Sequence, residues 1–299
     1  MLLFLSRQRR LRRWVETSKI ARRLSSRFIA GETLDDALMV SRRINSEGIA
    51  ITLDHLGESV TSLEEAAAAR DVYLRTLNAL IAAGIQGNVS LKLTQFGIDH
   101  STQQCRENVE LLVRRASELK EFVRVDMESS EYTDRTLALV RDLHAAYGSV
   151  GTVIQAYLYR SRKDVELLCD HQIRVRLCKG AYLEPPDVAY PDKADVDRNY
   201  VELMQLLLER GTYPAIATHD ERIIEATRAF AARRGIGKEA FEFQMLYGIR
   251  RDLQRRLAVD GYRVRLYVPF GGAWYPYFMR RLAERPANVL FLARNLVRR

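Results

Sequence analysis

The chain has 299 residues, 47% of them hydrophobic and 28% charged, a balance that suits a soluble globular protein and excludes general disorder and collagen-like or mucin-like classes. A chain this long buries roughly 75% of its unfolded surface and so builds a full core without covalent staples. The formal charge is +9, and the 3 cysteines, Cys105, Cys169 and Cys178, form no C-x-x-C pair. That excludes a secreted disulfide scaffold and a structural zinc site, and reads the thiols as small buried hydrophobes in a reducing compartment.

Much of the positive charge lies at the two ends, in Arg7, Arg9, Arg10, Arg12, Arg13, Arg22 and Arg23 and in Arg294, Arg298 and Arg299. The apolar opening, residues 1–5, is too short for a membrane span or a signal-peptide core, and it precedes the basic residues. A solvated amphipathic helix is the favoured reading of this segment. A basic surface that meets acidic lipid or nucleic acid is the second. An Arg-rich, acid-poor, serine-containing leader also fits a mitochondrial transit peptide, although residues 14–30 run straight into helix-like sequence.

After residue 47 short β-rich runs alternate with longer amphipathic stretches. The runs cover residues 48–57, 88–97, 122–128, 151–159, 173–180, 213–220, 241–248 and 264–271, each rich in Val, Ile, Leu and Tyr. Helix-like segments lie between them, at 62–83, 103–119, 133–147, 192–210, 221–234 and 249–259. The spacing suits βαβ units, and no Pro/Ser/Gly-rich linker divides them. We therefore expect an α/β fold: an N-terminal helical segment, 1–47, and one (β/α)8 barrel domain, 48–299. A doubly wound sheet is the rival, but its Gly-x-Gly-x-x-Gly turn is missing after the first strand, which ends Leu53-Asp54-His55-Leu56-Gly57-Glu58.

Barrel function gathers where strands end. The polar residues there are Asp54, Glu58, Lys92, Asp126, Glu128, Gln155, Tyr157, Arg176, Lys179, Thr218, His219, Asp220, Gln244 and Tyr267. Charges inside otherwise apolar runs are almost never buried unpaired, so their recurrence around the chain points to a polar site with several cations. In the last helix, 274–286, Tyr277, Arg280, Arg281 and Glu284 share one face by their spacing of three and four. Pro276 suits its first turn and Pro286 stops it. Two adjacent guanidiniums suit a carboxylate or phosphate, although by itself this helix also reads as an ordinary charged solvent face.

His55, His100 and His219 have Asp neighbours, but no His-x-His or His-Glu-x-x-His spacing exists, so no metal is expected. Neither a nucleophile elbow nor a P-loop is present. Nucleic-acid binding has only net charge in its favour, and no such partner is expected. A barrel that grips an anionic ligand without redox chemistry stays open on these grounds.

The strand-end segments taken together resemble the proline dehydrogenase family, in its short monofunctional bacterial form. They are Ser-Leu-Lys-Leu at 90–93, Val-Asp-Met-Glu at 125–128, Gln-Ala-Tyr-Leu-Tyr-Arg at 155–160, Arg-Leu-Cys-Lys-Gly-Ala-Tyr at 176–182, Ala-Thr-His-Asp at 217–220, Phe-Glu-Phe-Gln-Met-Leu-Tyr-Gly at 241–248 and Tyr-x-x-Arg-Arg-Leu-Ala-Glu at 277–284. The likeness runs from about residue 31 to the end. It implies a distorted (βα)8, TIM-like barrel holding FAD, in which L-proline is oxidised to Δ1-pyrroline-5-carboxylate by hydride transfer to flavin N5. Electrons then pass to a quinone or another acceptor. By position, the resemblance implies that Arg280, Arg281 and Lys92 clamp the proline carboxylate, with Asp126 beside Lys92 near the flavin. Tyr267, Tyr277, Leu246, Ala181 and Tyr182 would wall the substrate ring. Glu58 would pair with Arg280 as a gate, and Glu284 would brace that arginine near the cofactor. Gln155, Arg176, Cys178, Lys179, Gly180, Thr218, His219 and Gln244 would hold FAD, with Lys179 and His219 on its pyrophosphate. Two departures stand out: Cys178, where the family often has valine, and Gly272-Ala273 in place of Arg-Asp, which implies a more mobile loop or a changed cofactor contact. No aldehyde-dehydrogenase domain follows, so a separate pyrroline-5-carboxylate dehydrogenase is the expected partner. The expected location is the cytoplasm, with the basic N-terminus as a peripheral contact on the inner membrane face if the acceptor is a membrane quinone.

Overall fold

A computed structural model of the chain describes residues 25–57 and 59–283, the last four by their backbone. Eight parallel strands close into a barrel in chain order: β1 (Ala50–His55), β2 (Gly87–Leu91), β3 (Val123–Val125), β4 (Val150–Gln155), β5 (Val175–Cys178), β6 (Ala215–Ala217), β7 (Glu242–Leu246) and β8 (Arg263–Phe270). Closure comes from β8 pairing with β1 over six residues, Ala50 opposite Arg265 through His55 opposite Phe270. Each strand overlaps one of the eight β-rich runs. Seven of the eight runs are longer than their strands, most plainly those that continue past β2 and β4. Leu93–Phe96 beyond β2 is a 3-10 turn, and Tyr157 and Leu158 beyond β4 are buried under a loop; apolar side chains under loops imitate strand sequence.

Helices occupy the outside. α1 (Leu34–Asn45) precedes the barrel, and α2 (Leu63–Ala82), α3 (Thr102–Glu118), α4 (Thr133–Tyr147), α5 (Ser161–Asp170), α6 (Lys193–Arg210), α7 (Glu221–Arg234) and α8 (Arg251–Val259) link the strands. α9 (Trp274–Ala283) follows β8. Their starts are written in the sequence as caps: Ser62 accepts from the Glu65 N–H, Ser101 from Gln104, Asp220 from Arg222, and Thr33 forms a reciprocal capping box with Asp36. α5 is absent from the sequence-based elements. Its signal was the triplet Val165, Leu168 and Cys169, which is the buried face of a ten-residue helix. Among the described residues no helix is long and apolar enough to cross a membrane.

Side chains alternate across the barrel wall. Ile51, Leu53, Val89, Leu91, Val123, Val125, Val175, Leu177, Phe243, Met245, Leu266 and Val268 belong to the hydrophobic core. The opposite parity carries Thr52, Asp54, Asn88, Ser90, Arg124, Arg176, Glu242, Gln244, Arg265 and Tyr267. A barrel lumen is normally filled by branched aliphatic side chains. Here it is filled by polar and charged ones, so the interior is arranged for chemistry at a cost in stability.

Candidate active site at the C-terminal mouth

Asp126, one residue past β3, is the hub. Tyr267 on β8 donates its hydroxyl to Asp126 Oδ2 at 2.8 Å. The two strands are separated by β1 and β2 around the wall, so this bond crosses the lumen. Arg176 on β5 donates from Nη2 to Asp126 Oδ1 at 2.5 Å, and Ser90 on β2 donates to the same oxygen. The Arg176 guanidinium also lies 5.1 Å from the centre of the Tyr267 ring. Lys92, which follows β2 and shares the parity of Ser90, reaches Asp54 Oδ1 at 3.1 Å and Asp126 Oδ2 at 3.7 Å.

Two carboxylates and two cations thus neutralise one another in a setting where Asp54 is 1% exposed and Asp126 is 7% exposed. Burial alone raises the Asp126 carboxyl, but Arg176 and Lys92, helped by the Ser90 and Tyr267 hydroxyls, hold it below the usual carboxylate range. Burial alone works against the Lys92 ammonium, yet Asp54 and Asp126 outweigh it and raise its pKa above the normal lysine value. The Tyr267 hydroxyl is pushed well up by burial and then by the two aspartates, so it remains a donor. Asp54 and Asp126 therefore hold the Lys92 ammonium at the mouth and favour its charged form.

Asp54 was visible as a strand-end residue but carried no assigned role; it is the nearer partner of Lys92. Tyr73 on α2, which places its hydroxyl 3.3 Å from Asp54 Oδ1 and 3.3 Å from Gln95 Oε1, was missed. An aromatic on a helix face gives no sequence signal for such a reach. Ser90 was legible in principle, two residues before Lys92 and therefore on the same side of the strand.

The expected cofactor residues fall on the neighbouring strand ends, β4 to β7. Gln155 donates its amide to the Glu128 carbonyl at 2.8 Å. Cys178 ends β5 half-buried, and burial pushes its thiol up to about 11. Gly180 adopts φ +119°, and a Cβ there would lie 2.3 Å from the Tyr157 ring, so only glycine lets the chain pass. Ala181 and Tyr182 are exposed on the following loop. Thr218 donates its N–H to the Gln244 carbonyl at 3.1 Å, and Gln244 donates its amide to Glu242 at 2.6 Å. His219 accepts the Leu246 N–H on Nε2 at 2.9 Å, which assigns the other ring nitrogen the proton in the neutral form. Leu246 stands opposite Tyr267 in the β7–β8 register. Lys179 already has ion partners of its own. Its ammonium sits 2.5 Å from Asp197 and 2.9 Å from Asp220, on α6 and just before α7, so two carboxylates already hold it.

The last helix continues through residue 283, with Tyr277 buried on it. The side chains of Arg280 and Arg281 lie outside the described residues, as do Glu58 and Glu284. Residues 25–31 run across the same end of the barrel: Ala30 donates to the Pro269 carbonyl at 2.9 Å, and Gly271 donates to Gly31 at 2.9 Å. Phe28 and Phe278 pack with ring centres 6.4 Å apart, which ties this stretch to α9.

Residues 37–294 match the family model described as proline dehydrogenase. A proline dehydrogenase of Deinococcus radiodurans is 45% identical over 280 residues, 92% of this chain and 90% of that one. Proline dehydrogenase 2 of Bacillus subtilis strain 168 is 40% identical over 287 residues, 94% of this chain and 95% of that one. Among solved structures, proline utilization A (PutA) from Bdellovibrio bacteriovorus, inactivated by N-propargylglycine, superposes with a TM-score of 0.83 at 30% identity, covering 88% of this chain but 33% of that much longer one. A closed parallel barrel whose lumen is charged at its C-terminal mouth, and a match along nearly the whole length of named relatives, lead to one assignment: the chain belongs to the proline dehydrogenase family, oxidoreductases that act on proline in the first step of its catabolism.

Proposed function

We propose that this chain oxidises L-proline to Δ1-pyrroline-5-carboxylate with FAD, and that the cluster of Asp54, Lys92, Asp126, Arg176 and Tyr267 at the C-terminal mouth is the centre of the site. That cluster is the observation that carries the reading. A buried, charge-balanced lumen is costly, and it presents a fixed ammonium and a fixed guanidinium at the end of the barrel where reactants enter. The donor set fits a flavin: a positively charged Arg176 locked by Asp126, amide side chains at Gln155 and Gln244, and a backbone at Gly180 that a side chain would obstruct. When bound, FAD would supply the hydride-accepting chemistry at N5 opposite the proline carbon next to nitrogen, with a quinone-type compound as the final electron acceptor.

The protein's own contribution is position and field. Lys92, kept charged by Asp54 and Asp126, attracts the substrate carboxylate, and Arg280 and Arg281 on α9 complete the clamp. Tyr267, fixed by its bond to Asp126, and Leu246 beside it in register wall the five-membered ring; Tyr277, Ala181 and Tyr182 close it. Arg176 would hold a positive charge beside the flavin and so favour its reduction. Glu58 and Glu284 are proposed as partners of Arg280. Lys179 contacts a pyrophosphate only if Asp197 or Asp220 yields, so His219 and the backbone after β5 are the better phosphate neighbours. The product goes to a separate pyrroline-5-carboxylate dehydrogenase. Purified protein is expected to be yellow and to bleach anaerobically on adding L-proline. A colourless preparation that FAD does not reconstitute, or a flavin spectrum that L-proline leaves unchanged, refutes the proposal.

A further inference from the structure

A cavity of about 650 Å³ opens at the other end of the barrel, where the strands begin. It is lined by the residues that start β1, β2, β7 and β8 and by those just before β3, β4, β5 and β6, so it lies below the lumen, opposite the proline site. Its wall is basic. Lys120, Arg124, Arg174, Arg263 and Arg265 face two carboxylates, Glu121 and Glu242. Glu242 is already committed, because it accepts Arg265 Nε on both oxygens, at 2.9 and 3.1 Å.

The remaining arginines are not neutralised in this way. Arg124 is 3% exposed, and its Nη1 donates to two backbone carbonyls, Thr152 at 3.0 Å and Arg174 at 2.8 Å. Among the described residues no carboxylate forms an ion pair with Arg124, Arg174 or Arg263. A buried guanidinium without an ion-pair partner is costly, and burial together with the field of Arg176 pushes Arg124 down to about 9 although Glu242 and Asp126 oppose the shift from a distance. The planes are held by aromatic rings. Phe122 has Arg124 at 4.8 Å and Arg174 at 5.1 Å from its centre, and Tyr213 has Arg174 at 5.3 Å and Arg263 at 5.6 Å. Arg124 spends Nη1 on those two carbonyls and Arg263 places its Nη1 3.5 Å from the Tyr213 hydroxyl, which leaves their other nitrogens and the Arg174 guanidinium to meet a ligand beside the two rings.

We propose that this cavity binds a small polyanion bearing phosphate or carboxylate groups, gripped by Arg124, Arg174 and Arg263 between the Phe122 and Tyr213 rings. The volume suits a compact metabolite-sized ligand. The rival explanation is structural: helix C-termini point to this end of a βα barrel, and cations there offset their partial negative charge. The two explanations differ in what the arginines do without a ligand. If they serve the helix ends, removing them destabilises the fold; if they await an anion, removing exposed ones does not.

The test uses the full chain saturated with flavin, at constant ionic strength set with sodium chloride. Inorganic pyrophosphate and citrate are the two probes, one for each anion type, read by titration calorimetry and by thermal melting. We expect saturable binding and a rise in melting temperature with at least one probe, and the responding probe names the chemical type. Arg174 and Arg263 are both exposed, so Arg174→Ala and Arg263→Ala fold. Each is expected to weaken binding about tenfold, the size of one charge-assisted hydrogen bond, without lowering the melting temperature in anion-free buffer. Absence of saturable binding by either probe overturns the proposal. So does unchanged affinity in a chain carrying both Arg174→Ala and Arg263→Ala, which would place the anion elsewhere, and with a loss of stability would assign the arginines to the helix ends.

Discussion

Replacing Asp126 by Asn is the sharpest probe of the lumen. The substitution keeps size and shape but removes the charge that Arg176 meets at 2.5 Å and Lys92 at 3.7 Å. It also replaces one carboxylate oxygen by an NH2 group, which cannot accept from Arg176 and Ser90 on one side or from Tyr267 on the other. At an effective dielectric near 20, the Lys92 contact alone is worth roughly 4–5 kcal/mol before desolvation. Desolvation of the carboxylate offsets much of that and of the Arg176 term. What remains is Lys92 with Asp54 and a buried Arg176 that has lost its carboxylate, a broken buried pair that costs about 3–5 kcal/mol. The pH dependence has a definite sign. The Asp126 pKa is depressed in the folded state, so its contribution is complete above the unfolded value of about 3.9 and is lost as pH falls through the lower folded value. Urea unfolding followed by circular dichroism should therefore show the variant less stable by that amount at pH 7, with the gap to the parent chain narrowing in strong acid. Equal stability at pH 7, or a gap that is constant with pH, would refute the charge-hub reasoning.

Arg281→Met should raise the KM for proline steeply while flavin content is retained, a loss on the order of 2–5 kcal/mol for a desolvated carboxylate contact; steady-state kinetics with unchanged KM would remove the arginine from the clamp. Gly248→Ala should detach residues 25–31 from the mouth, because φ is +79° and the new Cβ would lie 1.6 Å from the Arg27 carbonyl oxygen. The strained backbone alone costs on the order of 1–3 kcal/mol. Limited proteolysis that cuts near residue 27 faster than in the parent chain checks it. Burial pushes Cys105 up to about 12 and Cys178 to about 11. Iodoacetamide at pH 8 should therefore modify them at least about a hundredfold more slowly in the native protein than in urea, since only the thiolate reacts. Mass spectrometry of the alkylated peptides reads this directly.

Alternation of β-rich runs with capped amphipathic stretches was enough to reach a barrel, because both patterns are local: a strand repeats every two residues and a helix every 3.6. The polar residues of the site were legible for the same reason. Lys92, Asp126 and Arg176 interrupt apolar runs, and a charge in such a run demands a partner. Which partner it finds was not legible. Asp54, not Asp126, is the nearer anion to Lys92; Lys179 is held by Asp197 and Asp220; Tyr73 reaches in from a helix. The same holds at the far end, where Arg124, Arg174 and Arg263 come from separate stretches of chain and meet only around one opening. These pairings join side chains of different strands, helices and loops, so they depend on how the closed wall of eight strands and its outer helices bring them together, a property that no single segment carries.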